Sequence, residues 1–156
     1  MTKRLLIACL LLNIINTNCQ TFESKKSNTL IGIWQAGTNE ISSAYLDTYT
    51  FNENNKFEFK PNEYNGLNRI IKISGTYRIQ NSEIIFHTET ITELTGGEIE
   101  RSTTTTLSDS WSIDGGKLIT KKINKTKQKA SFKFCKSEGD KQNCFKIDER
   151  SYFKID

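Results

Sequence analysis

The chain has 156 residues with a formal net charge of +4, and 35% of its residues are hydrophobic. This length fits one domain, which can bury roughly two-thirds of the surface of the unfolded chain. One apolar run covers residues 5–15, and it falls short of the roughly 20 residues that a membrane-spanning helix needs. No other apolar segment approaches even that length, so the composition excludes a membrane domain built from helices.

Residues 1–19 have the organisation of a secretory signal peptide. Lys3 and Arg4 supply the positive start, the apolar run follows, and small polar residues lead to Cys19. An ordinary signal peptidase would cleave after Cys19 and remove it with the signal. Alternatively, Cys19 is lipidated and retained, as in bacterial lipoproteins, and residues 20–29 form a polar tether. Both alternatives predict export to the periplasm or the extracellular space, and the second adds a lipid anchor in the outer membrane.

The sequence from residue 30 onward predicts an all-β domain. Apolar and polar residues alternate with a period of two, and groups of Asn, Asp, Ser and Gly separate the alternating segments. No long segment has an apolar stripe of helical period, so we predict an antiparallel meander. The expected strands are 30–37, 44–51, 56–60, 69–79, 83–94, 98–107, 109–113, 117–123, 130–135, 144–148 and 151–155. The expected turns include 52–55, 81–82, 95–97 and 114–116. The chain is thus divided into a signal peptide (1–19), a polar spacer (20–29) and a β-barrel domain (30–156).

The first predicted strand carries a glycine two residues before a tryptophan, at Gly32 and Trp34. At the start of an all-β domain, this spacing suggests a strand that bends tightly at the glycine. The indole of Trp34 would then fill one end of a barrel.

Two later strands show which of their faces points inward. Phe57 and Phe59 alternate with charged residues, so both phenylalanines are expected in the core. In strand 69–79 the residues expected to share the inner face are Ile71, Ile73, Gly75, Tyr77 and Ile79. Pro61 cannot continue an inner strand, so we expect the loop 61–68 at a mouth of the barrel, where a ligand could touch it.

The centre of the chain contains the residues that come closest to a catalytic pattern. His87 is the only histidine, and a histidine beside carboxylates could act as a general base. We expect it on the strand face of Ile85, Glu89, Ile91 and Glu93. Carboxylates at Glu89, Glu93, Glu98 and Glu100 flank one predicted turn and could supply a pair for glycoside hydrolysis. Solvent-facing side chains of a hairpin explain both patterns more simply. With no nucleophile elbow and no phosphate-binding glycine loop, we predict no enzyme, cofactor or metal site.

Charge is distributed unevenly along the chain. Residues 20–116 hold 8 basic and 13 acidic side chains, whereas residues 117–156 hold 12 basic and 5 acidic ones. The simpler expectation is that the two segments neutralise each other in the folded protein. The alternative is an anion-binding face on the second segment. No exposed aromatic residues alternate with these lysines, as base stacking would need, so nucleic acid is not an expected partner.

Two cysteines, Cys135 and Cys144, lie in the predicted domain. In an oxidising compartment an even pair of cysteines indicates a disulfide. A metal site would need three or four ligands, and the single histidine is far away in the sequence. If the two cysteines face each other across a hairpin, the next pairs are Phe134 with Phe145, Lys133 with Lys146, and Phe132 with Ile147. This register places the apolar residues on one face and the lysines on the other.

The domain resembles the small lipocalin-like barrels of secreted and lipid-anchored bacterial proteins. The resemblance is carried by Leu30-Ile31-Gly32-Ile33-Trp34, Tyr49-Thr50-Phe51, Lys56-Phe57-Glu58-Phe59, Gly75-Thr76-Tyr77-Arg78-Ile79, Ile84-Ile85-Phe86 and Tyr152-Phe153-Lys154-Ile155. It implies a single barrel of about eight to ten strands, whose interior is either packed or open. It also implies an arginine over the tryptophan, for which Arg150 is the candidate. The chain departs from the family pattern because the middle lipocalin motif is missing.

Two functions follow as hypotheses, of which we prefer the first and keep the second as its alternative. The first is a binding module that holds a small apolar or amphiphilic ligand in the barrel. Its candidate lining residues are Trp34, Phe51, Phe57, Phe59, Tyr77 and Phe86, although core packing is the simpler explanation for each of them. The second is a non-catalytic structural or interaction protein of the cell envelope, which uses the lysine-rich segment 117–154 to contact an anionic component or another protein. In both cases we expect a monomer that touches the membrane only through a lipid on Cys19.

Overall fold

The computed structural model describes residues 29–38, 46–102, 110–135 and 143–155. The predicted signal peptide, with Cys19, lies outside these ranges, as does nearly all of the spacer. A single turn of 3-10 helix at Glu53–Asn55 joins the second and third strands. Within the described residues the strands are β1 (Gly32–Ala36), β2 (Thr48–Asn52), β3 (Lys56–Lys60), β4 (Ile70–Gln80), β5 (Glu83–Thr95), β6 (Glu98–Ser102), β7 (Ser110–Asp114), β8 (Lys117–Phe134), β9 (Cys144–Ile147) and β10 (Arg150–Lys154).

Eight of these described strands form a closed antiparallel barrel, in the order β1-β10-β9-β8-β5-β4-β3-β2. The all-β meander that the alternating pattern predicts is therefore confirmed. The first strand closes the barrel because it pairs with β2 on one edge and with β10 on the other. The eight-stranded barrel is compatible with a lipocalin-like fold.

The chain leaves the barrel between β5 and β8. β5 pairs with β8, while β6 and β7 pair only with each other and form a separate two-stranded ribbon. The glycine-rich groups predicted as turns at 95–97 and 114–116 do separate strands, but they are bends in a ribbon and not hairpin turns. Gly96, Gly97, Gly115 and Gly116 all have positive φ angles, between 69° and 93°. Because they lie opposite each other, the two arms bend together, and one long ribbon continues from β5–β8 into β6–β7.

The eighth strand runs without interruption for 18 residues. We expected two strands, 117–123 and 130–135, because the polar residues between them lack apolar alternation. This expectation was wrong, since the polar stretch pairs with β5 through the backbone and includes pairs such as Gln128 with Phe86. Side-chain polarity alone does not end a strand whose neighbour supplies backbone partners, here on both sides of a bulge at residues 123–125.

The tryptophan of the first strand is fully buried, as the sequence suggests. Gly32 has a φ of +133°, and the Trp34 Nε1–H donates a 2.7 Å hydrogen bond to the Leu30 carbonyl oxygen. The cation over the indole is Lys154, with its Nζ 5.8 Å from the ring centroid. The expectation of Arg150 at this place was wrong because Lys154 lies directly opposite Trp34 in the β1–β10 ladder. Arg150 lies at the other end of β10, 6.0 Å from the ring of Tyr152.

The disulfide between Cys135 and Cys144 is confirmed, with its Cα atoms 5.3 Å apart. The neighbouring pairs are also those expected from the sequence, including Phe134 with Phe145 and Lys133 with Lys146. The bond thus joins the end of β8 to the start of β9.

Removing this bond should destabilise the fold without changing it. In the chain-entropy model, a loop of this size contributes about 2.5 kcal/mol. We expect the double variant Cys135→Ser, Cys144→Ser to lose about that much free energy of unfolding in urea. The wild-type protein treated with reductant should match the variant. An unchanged urea midpoint in both samples would contradict a stabilising role.

A second prediction concerns Gly75, where β4 passes close to β5. A Cβ atom placed on Gly75 would collide with the carbonyl oxygen of His87. Because the obstacle is backbone, it cannot move aside as a flexible side chain would. Gly75→Ala should therefore cost about 2 kcal/mol or more in urea unfolding. Gln80→Ala, at the exposed end of the same strand, is the control and should change stability little.

Candidate functional site

The six predicted ligand-binding residues all come together in the barrel. Trp34 is fully buried, four others are at most 5% exposed, and Phe59 is partly buried against the same cluster. Their rings touch one another and their neighbours, with centroids 4.7 Å apart for Phe51 and Tyr77 and 4.8 Å apart for Phe57 and Phe86. Five of these side chains therefore leave almost no surface that even a water molecule could reach.

Tyr49 is an interior residue that the sequence analysis did not single out as a site residue. Its ring centroid lies 4.7 Å from that of Phe59, 5.2 Å from that of Tyr152 and 5.5 Å from that of Phe86. Burial, with a smaller contribution from the Tyr152 hydroxyl, raises the pKa of Tyr49 well above its usual value. Burial likewise raises the pKa of Tyr152. The alternation of Tyr49 with Phe51 was the available signal for its inward position.

Asp47 is a buried carboxylate that no sequence pattern indicated. Its Oδ1 accepts hydrogen bonds from the Asn62 backbone N–H at 2.6 Å and from the Asn62 Nδ2 at 3.0 Å. Its Oδ2 forms an ion pair with the half-exposed guanidinium of Arg150. These contacts tie the start of β2 to the segment after β3 and to the start of β10. Both carboxylate oxygens are thus satisfied, as a buried charge requires.

His87 does not meet the carboxylates that the sequence placed on its face. The outward-facing His87 lies between Thr76 and Lys127. The ladder shifts register next to Glu89, so the residues beyond it change faces. Ile91 pairs with the inward-facing Ile73, and the expected face shared by His87, Ile91 and Glu93 was wrong. The four glutamates do not flank a hairpin turn either, since β5 and β6 are not paired.

Most exposed apolar side chains lie at one end of the molecule, which we call the distal end (residues 61–71, 94–102 and 110–119). The large exposed hydrophobic residues there are Tyr64, Leu67, Ile70, Ile71, Ile99, Trp111, Leu118 and Ile119. Ile99 and Trp111 belong to one face of the β6–β7 ribbon and are 59% and 49% exposed. A cluster of this kind marks an interaction site more often than scattered surface residues do.

The loop after β3 joins the distal end and contacts the ribbon. The Ile113 N–H donates a 3.2 Å hydrogen bond to the Gly66 carbonyl oxygen, and Arg69 Nη1 donates to the Gly96 carbonyl oxygen at 2.7 Å. An open groove of about 320 Å³ lies beside this loop. Its walls include Lys60, Pro61, Asn62, Ile70, Ile71 and Leu94. The groove is thus lined by a mixture of polar loop residues and apolar strand residues.

The lysines of β8 form the second feature of this region. β8 contains seven lysines and no acidic residue. Lys121 forms an ion pair with Glu93, and Lys129 Nζ lies 3.1 Å from a carboxylate oxygen of Glu83. Four further lysines of β8 are exposed and form no salt bridge with any residue that the structure describes. They are Lys117, Lys122, Lys127 and, at the far end of the strand, Lys133. Among the described residues, the two charged segments therefore neutralise each other only in part.

Comparison with family models, with curated proteins and with solved structures finds no match to this chain. In the described part of the chain, no helix is long and apolar enough to cross a membrane.

The buried tyrosines predict a loss of stability at alkaline pH. Tyrosines in the unfolded chain ionise near pH 10, whereas burial holds Tyr49 and Tyr152 in the protonated form. Their contribution is therefore complete below about pH 10 and is lost as the pH rises towards their pKa values in the folded state. Each pH unit above 10 should lower the free energy of unfolding by up to about 1.4 kcal/mol per protonated tyrosine.

The measurement is urea unfolding at a series of pH values on both sides of pH 10, for the wild type and for Tyr49→Phe. The variant keeps the ring and removes one titrating group, so its stability should fall less steeply. Lysine titration affects both proteins equally and cancels in the comparison. Equal slopes would contradict the raised pKa of Tyr49.

Proposed function

We propose that the protein is an exported, non-catalytic interaction protein that binds an anionic partner through the lysines of β8. The barrel serves as the scaffold, and the distal end and the adjacent part of β8 form the contact surface. The observation that carries this proposal is a set of exposed lysines on β8, a strand without acidic residues. Lys117, Lys122 and Lys127 form no salt bridge with any residue that the structure describes. A concentration of charge of one sign along a strand attracts and orients an oppositely charged partner.

The exposed apolar residues support the same surface. Leu118 is 63% exposed and lies one residue from Lys117, and Trp111 and Ile99 lie on the ribbon that follows the glycine bend. An aromatic or aliphatic anchor beside charged residues is a common composition of protein contact sites. A partner that presents both negative charge and apolar groups would fit this end of the molecule.

The compartment is part of the proposal. A disulfide in the structure is consistent with an oxidising environment outside the cytoplasm, and the sequence of residues 1–19 has the pattern of an export signal. We also propose that the domain belongs to the lipocalin-like family. This proposal rests on the barrel topology and on the motifs around Trp34.

A small-molecule binding role is the second candidate. In its favour, three side chains that pack against the core are only partly buried, so the interior is more accessible where they lie. These are Tyr49, Phe59 and Ile73. The groove beside the loop 61–69 has a volume of about 320 Å³, which is within the range of small-ligand pockets. The groove is open, however, and the rings of the barrel already occupy the space that an enclosed ligand would need.

The proposal is tested by removing three of the exposed lysines of β8. We expect the triple variant Lys117→Gln, Lys122→Gln, Lys127→Gln to bind labelled polyglutamate about tenfold more weakly than the wild type. This corresponds to roughly 0.5 kcal/mol for each exposed charge pair. Fluorescence anisotropy at low and at physiological salt measures the affinity, which should fall as salt screens the charges.

The matched control removes three positive charges that lie on strands other than β8, with Lys56→Gln, Arg78→Gln and Lys146→Gln. Its net charge equals that of the β8 variant, so a purely global charge effect would weaken both equally. We expect less than about a threefold change in the control. Equal losses in the two variants, or no binding by the wild type, would reject the proposed surface.

A further inference from the structure

Among the described strands, none pairs with one edge of β8 along most of its length. On one side the strand pairs with β5 from Glu83 to Thr95. On the other side it pairs with β9 only at Phe132–Phe134, and a further hydrogen bond joins Cys135 to Cys144. In the ranges that the structure describes, no strand pairs with this side of β8 between residues 117 and 130. An unpaired strand edge presents backbone donors and acceptors that can accept another strand.

The backbone groups on this open edge can be identified from the ordered end of the strand. The Phe132 N–H donates to the Ser82 carbonyl oxygen at 2.8 Å, which is on the β5 side. The backbone groups of Ser131 face the other edge of β8, where the Ser131 N–H donates to a carboxylate oxygen of Asp148 at 2.9 Å. Backbone groups alternate between the two edges of a strand. Lys129 and Lys127 therefore direct their N–H and C=O groups towards the open edge, as Ser131 does.

An acidic residue, Asp148, already pairs with Ser131, the residue of β8 where this open edge begins. Asp148 accepts the Ser131 N–H through its side chain, and its own N–H donates to the Ser131 carbonyl oxygen at 2.9 Å. The adjacent positions on the edge are Lys129 and Lys127, whose side chains share the outer face with Ile85 and His87. The chain itself thus shows how a residue with a carboxylate is accommodated beside the β8 backbone.

Charge decides which kind of strand can occupy the rest of the edge. A second copy of this chain, pairing β8 with β8, would place lysines against lysines with no acidic residue in either strand. Like charges across a strand pair are destabilising, and edge lysines are a common device against pairing between copies. An extended acidic segment has the opposite effect, since its carboxylates meet the lysines while its backbone completes the ladder.

We propose that β8 is the docking edge for an extended acidic peptide segment of another protein, which adds as a strand beside residues 126–130. This inference rests on the proposed function and specifies its partner as a strand-forming acidic polypeptide. Main-chain hydrogen bonds to Lys127 and Lys129 hold the segment in register, and the exposed side chain of Lys127 selects for acidic residues.

The probe is a labelled peptide of about ten residues in which Glu and Val alternate, a sequence that favours an extended strand. The comparison peptide has the same sequence, but its backbone nitrogens are methylated. It therefore keeps its charge and has no backbone N–H donors. We expect the wild-type protein to bind the methylated peptide at least about tenfold more weakly. Equal affinity for the two peptides would overturn strand addition.

A protein variant tests the same contact from the other side. Lys127→Pro removes one charge and the outward N–H, whereas Lys127→Gln removes the charge alone, and proline is tolerated at an open strand edge. We expect Lys127→Pro to bind the Glu-Val peptide about tenfold more weakly than Lys127→Gln, while both bind polyglutamate alike. Equal affinities of the two variants for the Glu-Val peptide would count against the proposal. Should Lys127→Pro not fold, the methylated peptide on the wild type decides the question.

Hydrogen exchange gives a readout that charge attraction alone would not produce. Addition of the Glu-Val peptide should slow exchange at the amides of Lys127 and Lys129. Unchanged exchange at saturating peptide would overturn the proposal, and so would a dimer that the peptide fails to dissociate. If polyglutamate binding depends on the β8 lysines but the methyl groups have no effect, strand addition fails and the proposed function stands. If no anionic probe binds at all, both fail.

Discussion

Pairing of β1 with both β2 and β10 closes the barrel, and the aromatic interior depends on this closure. The first strand contributes Trp34, the ninth Phe145, and the tenth Tyr152. The ring of Phe145 lies 4.8 Å from that of Trp34 and 5.3 Å from that of Tyr152. Without the β1–β10 ladder these rings would belong to an open sheet edge. Closure is therefore what allows a chain of this length to bury its large aromatic side chains together.

The closed part of the barrel is shorter than its longest strands. β9 contains four residues and β10 five, whereas β5 contains thirteen and β8 eighteen. The additional length of β5 and β8 cannot be covered by the short strands and continues beyond them. The exposed Leu118 and Ile119 belong to this projecting part. The same pairing that completes the core therefore also places an apolar and basic ribbon outside it.

The sequence indicated the barrel well because most strands of the closed part alternate clearly. The inner faces of β3 and β4 were predicted correctly from Phe57 and Phe59 on β3 and from Tyr77 and Ile79 on β4. The disulfide and the register of its hairpin also followed from the positions of Cys135 and Cys144. In each of these cases a period of two, anchored by a turn or a bond, left one consistent arrangement.

The distal end was harder to foresee, for two physical reasons. A pair of glycines with positive φ suits both a hairpin turn and a bend in a continuous ribbon, and only the partner strand distinguishes them. The local sequence around Gly96 and Gly115 does not indicate which strand that partner is. In addition, a bulge beside Glu89 reverses the faces of the residues that follow, and no residue type at that position signals it. The buried Asp47 escaped notice because its partners, Asn62 and Arg150, are distant in sequence.

The positions of the acidic residues explain why the charges of the two segments cancel only in part among the described residues. On β5, Glu93 and Glu83 lie beside β8 and form ion pairs with two of its lysines. The next acidic residues, on β6 and β7, lie beyond the bend. Glu98 there faces Asp114 across the ribbon, and no salt bridge links either residue to β8 among the described residues. A straight ribbon would have carried these carboxylates on along the line of β8. In either geometry these two carboxylates lie beyond the first residue of β8 and not beside its lysines, so only the glutamates of β5 are placed to pair with them.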